Sequence, residues 1–293
     1  MTLPEEFDLT VRSHRLHAQR FGDPSAPLVL ALPGLSGNMK SFDYIGERIG
    51  GDTLQLVALD LRGRGRSEVT PAGTYGWDNH ARDALAAADV LGFERCSLIG
   101  QSMGGAVSMK AAELDAGRLD AVVLLDAAGR PDPGTLAVIG SSVSRLGAVH
   151  PSVEEYLDGV KAQGLIDPWT EYWDRYYRYE LETVEGGVRS RTSPEAIAED
   201  GAYGATQDLY GLWQHLTMPT LLVRATQEFQ PGAGHIVGAT DRDRFLGEVP
   251  NGSVAEIDAN HMTVNTHLDT VDVIRTFFGT VPGGQAAPGA SVP

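Results

Sequence analysis

The chain is poor in cysteine, in long apolar runs and in positive charge. A lone thiol, Cys96, excludes any internal disulfide. It lies in the apolar run Cys96-Ser97-Leu98-Ile99, which reads as a buried strand, so we read it as a structural thiol rather than a reactive one. No stretch approaches the roughly 18 consecutive apolar residues that a membrane helix needs; the longest, such as Leu28–Leu32 and 121–125, are of strand length. The first eight residues carry neither a basic segment nor an apolar core, so no secretory signal is expected. With no disulfide to form, the expected location is the cytoplasm. Lys and Arg number 23 against 39 Asp and Glu, a formal net charge of −16. Such a surface repels nucleic acid and anionic membranes, so neither is expected as a partner, and strongly anionic substrates are disfavoured unless a local basic pocket receives them. There is no H-E-x-x-H and no C-x-x-C, and the glycines of Arg62–Arg66 lack the Lys-Ser/Thr of a phosphate loop. No metal and no cofactor are expected. A small molecule remains the expected partner of a chain that is a monomer or homodimer.

What is present is an alternation of short apolar strands with helical patterns. Residues 6–21 read as a two-strand hairpin, followed by the Asp23-Pro24 turn. Apolar strands follow at Leu28–Leu32, 54–59, 96–100 and 121–125, with helical patterns at 77–91 and 103–114 between them. Strands at this spacing call for a mostly parallel sheet covered by helices on both faces. The rhythm breaks at Gly129. From 130 to 216 no strand is read; helical stretches at 153–163, 169–181 and 194–216 fill the interval. Strands return at 219–224 and 253–257, and a closing helix is read at 271–278. The expected organisation is therefore one core domain in two parts, 1–129 and 217–280, interrupted by a helical cap at 130–216. A Gly-, Pro- and Ala-rich tail at 281–293 is expected to be disordered.

Gly100-Gln101-Ser102-Met103-Gly104 fits G-x-S-x-G, directly after an apolar strand and directly before a helix. That context matters because the serine must occupy a sharp, strained strand-to-helix turn. Glycines two residues to either side let the turn close, and the hydroxyl is lifted to the positive end of the following helix. Here the sequence resembles the α/β-hydrolase superfamily. A second segment, Asp60-Leu61-Arg62-Gly63-Arg64-Gly65-Arg66-Ser67, is similar to the family's D-x-R-G-x-G-x-S segment, and the resemblance extends from about residue 7 to 279. It implies an eight-stranded α/β-hydrolase fold with a cap, in which Ser102 is a nucleophile.

A serine hydroxyl needs a base to attack. In the family order of serine, acid and histidine, the histidine follows the last strand. Of eight histidines, His261 fits, in Ile257-Asp258-Ala259-Asn260-His261; His267 falls within the next helical pattern, and the remaining six read as surface or packing residues. The acid that orients the imidazole has two candidates. Glu228 follows the strand after the cap, where the family usually has Asp; Asp126 follows the strand before it, an arrangement that a minority of the superfamily resembles. The oxyanion hole needs two backbone N–H donors. By resemblance they are Met103, next to the serine, and Leu35, in Pro33-Gly34-Leu35-Ser36, where many relatives have His-Gly in place of Pro33-Gly34.

The cap segment 169–179 is rich in aromatics. Trp169, Trp173, Tyr176 and Tyr177 share a helix face at i, i+4, i+7 and i+8, and Tyr210 and Trp213 repeat the pattern near the cap's end. Such a stripe either packs the cap onto the sheet or walls a pocket over Ser102; the second reading makes these six the pocket candidates and the substrate largely apolar. The resemblance implies a carboxylesterase or lactonase working through a catalytic triad. Thioester and carbon–carbon bond hydrolysis use the same residues, and a ligand receptor on the same scaffold keeps them with slow turnover.

Overall fold

The computed structural model describes residues 4–281. The tail proposed for 281–293 lies outside the described residues from Pro282 onward. Strands β1 (Glu5–Val11) and β2 (His14–Phe21) form the expected hairpin, closed by Arg12 in a left-handed conformation, φ 58°. The strands β3 (Leu28–Leu32), β4 (Gln55–Leu59), β5 (Cys96–Gln101) and β6 (Leu119–Leu125) are buried along almost their whole length, as expected of strands covered on both faces. With β9 (Thr220–Ala225) and β10 (Gly252–Ile257) they complete an eight-stranded sheet in the order β1-β2-β4-β3-β5-β6-β9-β10. β2 pairs antiparallel with both of its neighbours; the other pairs are parallel.

Helices close both faces. On one side lie α2 (Trp77–Val90), α3 (Met103–Asp115) and α8 (Ala239–Glu248), sealing a core around Leu30, Leu98, Leu124 and Phe245. α2 turns Ala81, Ala84, Ala87 and Ala88 inward at helical spacing, small side chains that let it lie close to the sheet. On the other side, α1 (Asp43–Ile49) and α9 (Leu268–Thr280) bury Ile45, Val271 and Ile274 against Val29, Ile99 and Val123. Among the described residues no helix is long and apolar enough to cross a membrane.

Between β6 and β9 the inserted segment, expected to be a cap, holds α4 (Pro133–Val143), α5 (Val153–Lys161), α6 (Glu171–Tyr179) and α7 (Pro194–Ala205). The expectation of a strandless cap is corrected. Strands β7 (Leu181–Val184) and β8 (Gly187–Ser190) form a small hairpin, turned by Gly186 and Gly187 at φ 87° and 145°. The helix read at 194–216 is also two pieces, since Thr206-Gln207-Asp208 ends α7 and a 3-10 turn follows at Tyr210–His215. Serine caps start two of the cap helices: Ser152 Oγ accepts from Glu155 N–H and Ser193 Oγ from Ala196 N–H.

Candidate active site

The serine turn is built as its glycines require. Ser102 has φ 54° and ψ −120°, a left-handed conformation that non-glycine residues adopt only under tertiary constraint. That constraint comes from Leu125 and Gly105: Ser102 N–H donates to the Leu125 carbonyl at 3.1 Å, and the Ser102 carbonyl accepts from Gly105 N–H at 2.9 Å. A side chain at Gly100 would collide with the Gly104 carbonyl, and one at Gly104 with the Leu32 carbonyl. Ser102 is thereby held at the N-terminus of the 13-residue α3, half-buried.

His261 lies in the loop after β10, 5% exposed. Its Nδ1–H donates to Asp126 Oδ2 at 2.8 Å. The other carboxylate oxygen, Oδ1, accepts from Ala225 N–H at 3.1 Å, and Asp126 N–H donates to the Val223 carbonyl at 2.7 Å. Asp126 is 1% exposed and, like Ser102, is held in a left-handed conformation, φ 46°. This pairing assigns the Nδ1–H tautomer and leaves a lone pair on Nε2. Nε2 faces the serine turn, 3.2 Å from the side-chain amide of Gln101, the residue before Ser102. Phe229 packs edge-on against the imidazole, with ring centroids 4.9 Å apart.

The structure thus brings Asp126, not Glu228, to His261. Glu228 is exposed, and its Oε2 accepts from Gly232 N–H at 2.8 Å within its own loop. The backbone there turns Phe229 inward, 4% exposed, so the side chain facing the imidazole is the phenyl ring. His267, expected within a helix, instead caps α9 by accepting from Asp269 N–H at its ring Nδ1.

The loop after β3 approaches the serine closely: a Cβ on Gly34 would stand 3.3 Å from Ser102 Cβ. Gly37 N–H donates to the Gly34 carbonyl at 3.0 Å, so Gly34–Gly37 is a tight turn with Leu35 at its second position. Among the described residues, neither Leu35 N–H nor Met103 N–H donates to another protein group, which leaves both for a ligand oxygen. Pro33 is buried.

The aromatic stripe packs the cap. Trp173, Tyr176 and Tyr177 are 2%, 5% and 5% exposed in a cluster with Tyr156, Leu157 and Leu181, and Trp169 stacks on Tyr177 at 5.5 Å. Tyr210 donates its hydroxyl to Asp241, while Trp213 donates Nε1–H to the Ala128 carbonyl and packs on Phe245. The first four pack the cap by ring contact alone, and Tyr210 and Trp213 fasten its end to the sheet domain through their hydrogen bonds to Asp241 and Ala128. The cap meets the site through other residues. Asn38 Nδ2 donates to the Tyr176 carbonyl, Asn260 Nδ2 to the Leu165 carbonyl, and Met262, next to His261, packs on the cap cluster.

Comparison with known proteins agrees with this architecture. A family model described as alpha/beta hydrolase fold matches residues 27–229. N-formylmaleamate deformylase of Pseudomonas putida is 36% identical over 112 residues, 38% of this chain and 41% of that protein, so the match spans less than half the relative's length. The 3-hydroxybutyrate-oligomer hydrolase of Cupriavidus necator is 28% identical over 235 residues, covering 73% of this chain and 77% of the relative. Among solved structures, E-2-(acetamidomethylene)succinate hydrolase superposes with a TM-score of 0.81 at 21% identity, covering 95% of this chain and all of that one. The fold, the serine turn and the matched model together place the chain in the alpha/beta-hydrolase fold family.

Proposed function

We propose that the protein is a serine hydrolase that cleaves a carboxylic ester or lactone of a largely apolar small molecule through an acyl-enzyme on Ser102. The observation that carries this reading is the buried His261–Asp126 pair, whose Nε2 lies 3.2 Å from the side-chain amide of Gln101, the residue before a serine held in a strained turn. In the first half of the reaction Ser102 Oγ attacks the carbonyl carbon and Nε2 takes the hydroxyl proton. Met103 and Leu35 N–H groups receive the oxyanion. Collapse of the tetrahedral species breaks the carbon–oxygen bond, and His261 returns the proton to the departing alcohol. A water then gives a proton to His261 and attacks the acyl carbon, releasing the acid and restoring Ser102. In a lactone the alcohol stays tethered to the acyl group. Asp126 holds the ring and stabilises its cation throughout. Leu35, Met103, Phe229 and Met262 lie next to these groups, which supports an apolar substrate.

A second reading, attack on an acyl carbon–nitrogen bond by the same residues, is favoured by the relative named a deformylase. A panel of p-nitrophenyl esters, lactones and formamides, run with the unaltered protein and with Ser102→Ala, separates the two. Turnover of esters or lactones that Ser102→Ala abolishes supports the first reading. Turnover confined to formamides replaces it with the second.

A further inference from the structure

The structure points to Arg64 as a positioning residue for the Leu35 oxyanion donor, locked in place by Asp200 of the cap; this rests on the hydrolase reading above. Arg64 is fully buried, in the segment between β4 and α2. Its Nε–H and one Nη2–H both donate to the Leu35 carbonyl at 3.0 Å, and Nη1–H donates to the Arg62 carbonyl at 2.9 Å. Nη2 also pairs with Asp200 Oδ2 at 2.5 Å. Asp200 lies on α7, 136 residues away in the chain, and is itself buried, its Oδ2 also accepting from His80 Nε2–H at 2.9 Å and its Oδ1 from Gly76 N–H at 2.6 Å. Among the described residues His80 Nδ1 is buried without a partner, consistent with a neutral ring; burial lowers its pKa.

A buried ion pair is weak evidence for stability, because apolar residues of similar volume often serve as well. What this pair does is geometric. The two peptide groups flanking Leu35 are each held by their carbonyls: that of Gly34 by Gly37 N–H, that of Leu35 by Arg64. Leu35 N–H belongs to the first of these peptides; by holding the second, Arg64 stops the chain from turning at the Leu35 Cα and so keeps the N–H in its aim, which is the preorganisation an oxyanion donor needs. Two donors of a planar guanidinium converging on one oxygen do this in a way a lysine ammonium cannot reproduce. Because the third partner is Asp200, seating of α7 and the aim of the oxyanion donor are coupled.

The test uses Asp200→Asn, Arg64→Lys and His80→Gln in the full chain. Each is measured for kcat and KM on the best p-nitrophenyl ester, for inhibition by an arylboronic acid, which mimics the tetrahedral oxyanion, and for thermal melting. Asp200→Asn changes one oxygen to nitrogen and carries the test if Arg64→Lys fails to fold. The expected result is a kcat loss of about 10-fold for Asp200→Asn and up to about 100-fold for Arg64→Lys, below the loss of a whole donor. KM stays within about twofold, boronate affinity falls in proportion to kcat, and His80→Gln, which keeps a donor to Asp200, retains most activity. Folded Asp200→Asn with unchanged kcat and boronate affinity overturns the proposal, as does a loss confined to KM or to melting temperature. If the unaltered protein neither turns over an ester nor is labelled at Ser102 by a fluorophosphonate, the hydrolase reading itself has failed, and the positioning role with it.

Discussion

Replacing Asp126 by Asn tests which carboxylate serves His261, and the structure sets the sign of the effect. In the native arrangement Oδ1 accepts from Ala225 N–H and Oδ2 accepts from His261 Nδ1–H. An asparagine in the same place has one oxygen and one NH2. The Ala225 N–H is a buried donor, so the oxygen takes the Oδ1 position and the NH2 faces His261. Nδ1 must then accept, the proton moves to Nε2, and the nitrogen facing Ser102 can no longer take a proton. The cost of that wrong tautomer is about 10⁴-fold in kcat, on the order of 5 kcal/mol in the barrier. Glu228→Gln, at an exposed side chain that among the described residues bonds only to Gly232 N–H, is expected to leave kcat within about twofold. Steady-state kinetics on the best ester, with urea melts to show that both variants fold, check the pair. A folded Asp126→Asn protein with near-native kcat, or a Glu228→Gln protein that loses about 10³-fold or more, refutes the assignment.

Burial raises the Asp43 carboxyl to about 6, against the opposing charges of Lys40 and Arg175, and its Oδ1 has no hydrogen-bond partner. A carboxyl that binds its proton more tightly when folded contributes stability that is full below pH ~4 and lost as pH rises through about 6, up to about 3 kcal/mol in all. Asp43→Asn should therefore raise the urea midpoint at pH 7.5 and change it little at pH 3.5; a lower midpoint at pH 7.5 contradicts this. The Cys96 thiol is pushed up to about 12 by burial, so iodoacetamide at pH 8 should leave the native chain unmodified and alkylate it in urea. Equal rates in both conditions would show that the strand carrying it is not closed.

The parts of the fold visible in the sequence are those set by local pattern. Leu28–Leu32 is apolar at every position because both sheet faces cover it, and its bounds coincide with the strand observed. The serine turn could be read because its constraint is local: glycines at 100 and 104 are required within a few residues of Ser102. His261 could be placed by its position after the last strand. The acid could not be decided, because what favours Asp126 is a hydrogen bond to Ala225 N–H, 99 residues on, and the inward turn of Phe229 beside Glu228. Position along the chain favours Glu228; only the folded geometry reverses the order. The β7–β8 hairpin escaped notice because four-residue strands give alternation too little length, although Gly186-Gly187 marked the turn. Helix α4 has no charged residue to outline an outer face, and α1 is only seven residues long. Arg64 looked like one member of a basic glycine-rich segment; its partner Asp200 is brought to it by the cap, and no local pattern connects the two.

The central claim is that Ser102 is a working nucleophile with His261 as its base. The most direct measurement is intact-protein and peptide mass spectrometry after brief exposure to a fluorophosphonate, for the unaltered chain, Ser102→Ala and His261→Gln. The account predicts one adduct per chain on the peptide carrying Ser102, none with Ser102→Ala, and labelling slowed by about 10³-fold or more with His261→Gln. An unaltered chain that stays unlabelled, or one labelled at another residue while Ser102→Ala labels equally, would contradict it.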